Sequence, residues 1–136
     1  KPEWDDPLFP GAHETIEALA ARDDVLLGIA TGKSRKGVNN LFDKTGWEKH
    51  FCTIQTSDLH PSKPAPDMVL AALGETGVDP RHAVMIGDST YDMEMACSAG
   101  VKAIGVAWGY HAPALLRGAG AAHIAADYPA LAQMLR

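Results

Sequence analysis

The sequence predicts an α/β fold, a parallel sheet covered by helices on both faces. Two observations carry that expectation. Strand-like and helix-like segments alternate along the whole chain, and the strand-like ones are nearly continuous apolar runs, the composition of strands buried on both sides. A third observation places the ligand: Thr31, Asp58, Asp88 and Trp108 each follow an apolar run, at the carboxyl ends of strands where such sheets hold their ligands.

The elements follow in order. After Pro10-Gly11, AHETIEALAARDD sets Ile16, Leu19 and Ala20 on one face at helical spacing. VLLGIATGK, Val25 to Lys33, is an apolar strand with a polar Thr-Gly-Lys end. Ser34 can cap a helix that runs through Asn40, Leu41 and Phe42 and stops at Gly46. HFCTIQTSD gives a shorter strand, and SKPAPD is a turn whose Pro66 suits the first position of the helix DMVLAALGETG. Val78, Asp79 and Pro80 break the chain before the strand AVMIGD. A helix from Thr90 to Ala99 ends at Gly100, and VKAIGVAW is a further strand. ALLRGAG is a short helix, AHIAAD a last short strand, and YPALAQMLR a closing helix.

Bulk properties narrow the function. At 136 residues, 46% hydrophobic and 21% charged, the chain is one soluble globular domain. Its 12 basic and 17 acidic residues leave a formal charge of -5 with no Lys/Arg cluster, which argues against a nucleic-acid partner and for a small or metal-bound substrate. Cys52 and Cys97 lie far apart without metal or disulfide spacing, so free thiols in a reducing compartment, the cytoplasm, are expected. No apolar run approaches the roughly 20 residues of a membrane span, and no signal-peptide core follows the start. The opening KPEWDDPLFPG precedes any periodic segment and has the character of a linker.

Asp88 and Asp92 are the first candidates for chemistry. An acid just past a buried strand suits a hard cation with oxygen ligands, and Mg²⁺ is the natural one. Asp92 falls in the first turn of the next helix, where its charge also favours the helix N-terminus. Two readings stay open here: a metal pair, with one acid ligating and the other orienting it, or a turn and a dipole partner. Thr31 and Gly32 end their strand at the start of a helix, where a hydroxyl and the two backbone N–H groups can hold a phosphoryl oxygen, although a Thr-Gly pair also serves as a plain turn. Lys63 stands between Ser62 and Pro64 with Pro66 close by; it is either a solvated charge or an ammonium aimed by a stiff backbone at a phosphate. Trp108, Gly109, Tyr110 and His111 follow a strand at the same end, placed to touch substrate or to cover the sheet. The six histidines form no metal-spaced set.

Taken in this order, IATGK, SKPAPD and IGDSTYD resemble three of the four motifs of the haloacid dehalogenase-like hydrolases. PLFPGAHETIEAL is similar to the segment that returns from an inserted cap, and VAWGYHAPALLRGAGAAHIAADYPAL to the end of phosphoglycolate phosphatase-like members. The resemblance implies a Rossmann-like core, Mg²⁺ as cofactor and a small phosphorylated metabolite as substrate. It implies that Thr31 binds the transferring phosphoryl group and that Lys63 neutralises an aspartyl-phosphate. Asp88 would then ligate the metal, with Asp92 supporting Lys63 or a metal-bound water.

The fourth motif, a strand followed by D-x-D that carries the nucleophile, does not occur; Asp5-Asp6 and Asp23-Asp24 are adjacent pairs in polar context. The expectation is therefore residues 1–11 as a linker from a cap and 12–136 as a partial core of a longer phosphatase, inactive alone. In the family the missing strand lies between the strands ending at Thr31 and Asp88. Its loss would bare two apolar edges that a second copy of the chain could cover. A phospho-accepting receiver module is the alternative, and chain order opposes it, because receivers place their acids before the Thr and Lys.

Overall fold

The computed structural model describes residues 11–60, 65–109 and 111–136. Along them run α1 (Ala12–Ala20), β1 (Leu27–Ala30), α2 (Arg35–Thr45), β2 (Phe51–Gln55), α3 (Asp67–Thr76), β3 (Val84–Gly87), α4 (Thr90–Ser98), β4 (Lys102–Val106), α5 (Pro113–Gly118), β5 (His123–Ala125) and α6 (Tyr128–Met134). The alternation is the one the sequence predicts. Single 3-10 turns at Trp47–His50 and Pro80–His82 add to it.

Local chemistry sets the boundaries. Ser34 accepts the Gly37 N–H at 3.2 Å and opens α2, which closes at Gly46 in the left-handed conformation, φ 72°. Pro66 stands one residue earlier than expected, as the N-cap of α3 rather than its first helical residue. The first helix is shorter than its sequence pattern, and its fully buried residues are Ala12 and Thr15; Ile16 is only partly buried, against Val38, Phe42 and Trp47.

All strand pairs are parallel, in two sheets: β1 with β2, and β3-β4-β5. Each sheet has helices on both faces. On one face of β1 and β2, Ile29, Phe51 and Ile54 pack on Val38 and Phe42 of α2; on the other, Ala30 meets the cluster of Met68, Val69, Met93 and Ala96 from α3 and α4. In β4, Ala103 faces α4 and Leu116 of α5, while Ile104 and Val106 face Leu131 of α6. This alternation is the two-residue period of a strand buried on both sides. Burying a side chain such as Ile104 contributes roughly 1.5–3 kcal/mol.

Among the described residues β1 and β3 each form an edge of their own sheet, in line with the two bared edges expected when a strand between them is missing. One expectation is corrected: β3 is not buried on both faces, since Val84 is 42% and Ile86 37% exposed. The apolar residues are present in these strands, but the described chain brings no partner strand to that edge of β3.

Candidate active site

The end of β3 and the start of α4 form one tightly bonded turn. Ser89 caps α4 by accepting the Asp92 N–H at 3.2 Å, and Asp92 answers by accepting the Ser89 N–H through Oδ2 at 3.3 Å, a reciprocal capping box. The same Oδ2 accepts the Asp88 N–H at 3.2 Å. Asp92 is thus buried, and its carboxylate ties down the main chain that carries Asp88. A side chain at Gly87 has no room: its Cβ would come within 2.4 Å of the Asp92 Cβ.

Asp88 is held from its other side by the segment after β4. The His111 N–H donates to the Asp88 carbonyl at 2.9 Å, and His111 Nδ1 accepts the Thr90 N–H at 2.9 Å. Gly109 lies against the Asp88 side chain so closely that an added Cβ would stand 2.0 Å from the Asp88 Cβ. The Trp108 and Tyr128 rings meet nearby, with centroids 4.6 Å apart. Burial pushes the Tyr128 hydroxyl above its ordinary range; the Trp108 hydrogen bond opposes this and the charge of Asp88 adds to it.

At the end of β1 the Thr31 hydroxyl accepts the Lys33 N–H at 3.1 Å, an ST-turn. The Thr31 N–H extends the ladder to the Gln55 carbonyl at 3.0 Å. This corrects one expectation: the Thr31 N–H is committed to the sheet and is not offered to an anion. The first turn of α2 already holds a carboxylate, because Asp58 accepts the Arg35 N–H at 3.0 and 3.3 Å. Sequence reading placed Asp58 at a strand end without seeing this bond, which joins residues 23 apart. Lys63 lies outside the described residues, as does Tyr110.

Thr31 and Gly32 therefore close β1, Asp88 closes β3, and Asp92 secures Asp88. The donor chemistry fits Mg²⁺, which is commonly held by one or two carboxylates together with waters and substrate phosphate. Asp88 offers the half-buried carboxylate, and Asp92, engaged with two N–H groups, suits the supporting place.

A family model described as haloacid dehalogenase-like hydrolase matches residues 6–106. The protein named Probable phosphatase IndB of Dickeya dadantii is 37% identical over 114 residues, 82% of this chain and 49% of its own length. Pyrophosphatase PpaX of Oceanobacillus iheyensis is 37% identical over 101 residues, 74% of this chain and 47% of its own. The crystal structure of a predicted phosphoglycolate phosphatase from Haemophilus somnus 129PT superposes with a TM-score of 0.86 at 27% identity, covering 96% of this chain and 58% of that one. The chain thus spans about half the length of the curated relatives it matches. No described helix is long and apolar enough to cross a membrane. On the fold, the order of its motifs and these matches, the chain belongs to the haloacid dehalogenase-like hydrolases.

Proposed function

We propose that this chain supplies the metal-binding and phosphate-binding edge of a Mg²⁺-dependent phosphomonoesterase acting on a small organic phosphate, phosphoglycolate among the candidates. The observation that carries the reading is the turn at Asp88, whose main chain is bonded on one side to Asp92 and on the other to His111. A carboxylate fixed in this way loses little conformational entropy on taking a cation, the preorganisation that metal sites need. Bound there, Mg²⁺ would screen the charge of the phosphoryl group. Thr31 would donate its hydroxyl proton, and Gly32 its N–H, to a phosphoryl oxygen. Lys63 would set its ammonium against the same charge.

The relatives named as a phosphatase and a pyrophosphatase support phosphoryl chemistry, and their greater length supports residues 12–136 as part of a larger core, with 1–11 leading into it. The nucleophile belongs to that larger protein, so the isolated chain is inactive. A cytoplasmic setting agrees with the free thiols of Cys52 and Cys97. Assembly of copies over the open edge of β3 belongs to the same reading.

The test is phosphate release from a panel of small phosphomonoesters and pyrophosphate, using the full-length protein that carries this chain. Release that requires Mg²⁺ and disappears in Asp88→Asn is the expected result. Release that survives Asp88→Asn, or no release from any member of the panel, overturns the proposal.

A further inference from the structure

We infer that His111 is a positioning residue for the metal carboxylate: its imidazole, accepting through Nδ1, locks the α4 end of the turn that aims Asp88. The inference rests on the metal role of Asp88 proposed above. It starts from a demand of helix geometry, since the first N–H groups of any helix lack intrahelical partners and must find acceptors elsewhere. In α4 the capping box satisfies the N–H groups of Ser89 and Asp92. Thr90 and Tyr91 remain, and the N–H of Thr90, the first helical residue, goes to His111 Nδ1 at 2.9 Å, from a residue 21 positions away.

The consequence is mechanical. The His111 N–H also donates to the Asp88 carbonyl at 2.9 Å, so a single residue grips the turn on both sides of Ser89. Gly109, with its Cα against the Asp88 side chain, closes the third approach. Asp92 holds the Asp88 N–H, His111 the Asp88 carbonyl and the Thr90 N–H. An Nδ1 that accepts leaves the ring proton on Nε2, and the tilted Tyr91 ring, 6.1 Å away between centroids, stands beside it. In this role the imidazole acts on the metal carboxylate through the backbone of Asp88 and Thr90.

The chemistry supplies a discriminating pair of variants. Asparagine places its carbonyl oxygen near the position of Nδ1, whereas glutamine carries its oxygen out toward that of Nε2. The full-length protein is titrated with Mg²⁺ alone by calorimetry for wild type, His111→Asn and His111→Gln. Hydrogen exchange of the Thr90 amide and the thermal midpoint are read on the same samples. The expected result is Mg²⁺ affinity close to wild type in H111N, with affinity weakened on the order of tenfold in H111Q. Thr90 exchange should be faster only in H111Q, with kcat falling in step with Mg²⁺ affinity and KM for the phosphoester little changed. Equal Mg²⁺ affinity in all three proteins overturns the inference, and so does an equal loss in H111N and H111Q together with a lowered midpoint, the mark of a merely structural residue. A wild type that takes up no Mg²⁺ fails at the earlier step, the metal role of Asp88, and is thereby told apart from failure of the His111 inference.

Discussion

In the three-stranded sheet the interior is apolar: Ala103, Ile104 and Val106 of β4 are sealed between Leu116 on one face and Leu131 on the other. In the two-stranded sheet the buried side chains of β2 include Thr53 and Gln55, 4% and 2% exposed. They form a polar chain. Thr53 donates to Glu75 at 2.6 Å, Gln55 Nε2 donates to Thr53 at 2.9 Å and to Glu75 at 2.8 Å, and His60 Nε2 bonds the Gln55 side-chain oxygen Oε1 at 2.6 Å. The first is held by packing, which no proton changes. The second adds to its packing a polar chain that ends on an exposed carboxylate, whose buried donors need an acceptor.

Variants in the protein carrying this chain can break that contrast. The largest effect is expected from Ile104→Ala, which empties a fully packed position and should cost about 2–5 kcal/mol in urea unfolding. Gly87→Ala should follow at about 1–3 kcal/mol, since the new methyl must push Asp92 aside. It should also weaken Mg²⁺ binding, measured on the same preparation. Ile86→Ala, one strand over from Ile104 in the same register, would cost no more than about 1 kcal/mol with the side chain 37% exposed as in this chain, and more where the rest of the larger protein supplies the strand beside β3. A loss as large as that of Ile104→Ala would show that the β3 edge is covered in the folded protein.

The smallest effect is confined to acid. Hydrogen bonds from Thr53 and then Gln55 hold the Glu75 carboxyl below its ordinary value, helped by His60 and opposed by burial. The folded state therefore binds this proton less readily than the unfolded one. The stabilisation it gives is complete above the unfolded value of about 4.3 and is lost as pH falls through the lower folded value. The urea midpoint should drop over that window in wild type and drop less in Glu75→Gln, with Ile104→Ala keeping the wild-type slope.

The same contrast explains what the sequence could reveal. Caps and stops are written within a few residues, so Ser34, Gly46 and the Asp92 first-turn position were legible, and the apolar runs located every strand. Hydrogen bonds between distant residues have no local signature. The pairing of Gln55 with Glu75, of Arg35 N–H with Asp58, and of Thr90 with His111 all depend on how the elements stack. Gln55 did leave a trace, as a polar residue within the apolar FCTIQT run. The turn at Trp47–His50 followed a helix stop and had no periodicity of its own to announce it. Exposure of Val84 and Ile86 could be read only from the missing motif, because composition shows what a strand is fit to bury, not whether its neighbour is at hand.

Each acid of the site has a glycine pressed against it, Gly87 at Asp92 and Gly109 at Asp88. Every amino-acid change that one base substitution makes in a glycine codon introduces a Cβ. At these two positions the genetic code therefore offers no mild first step, and any lineage that retains the two acids in this geometry must retain both glycines unchanged.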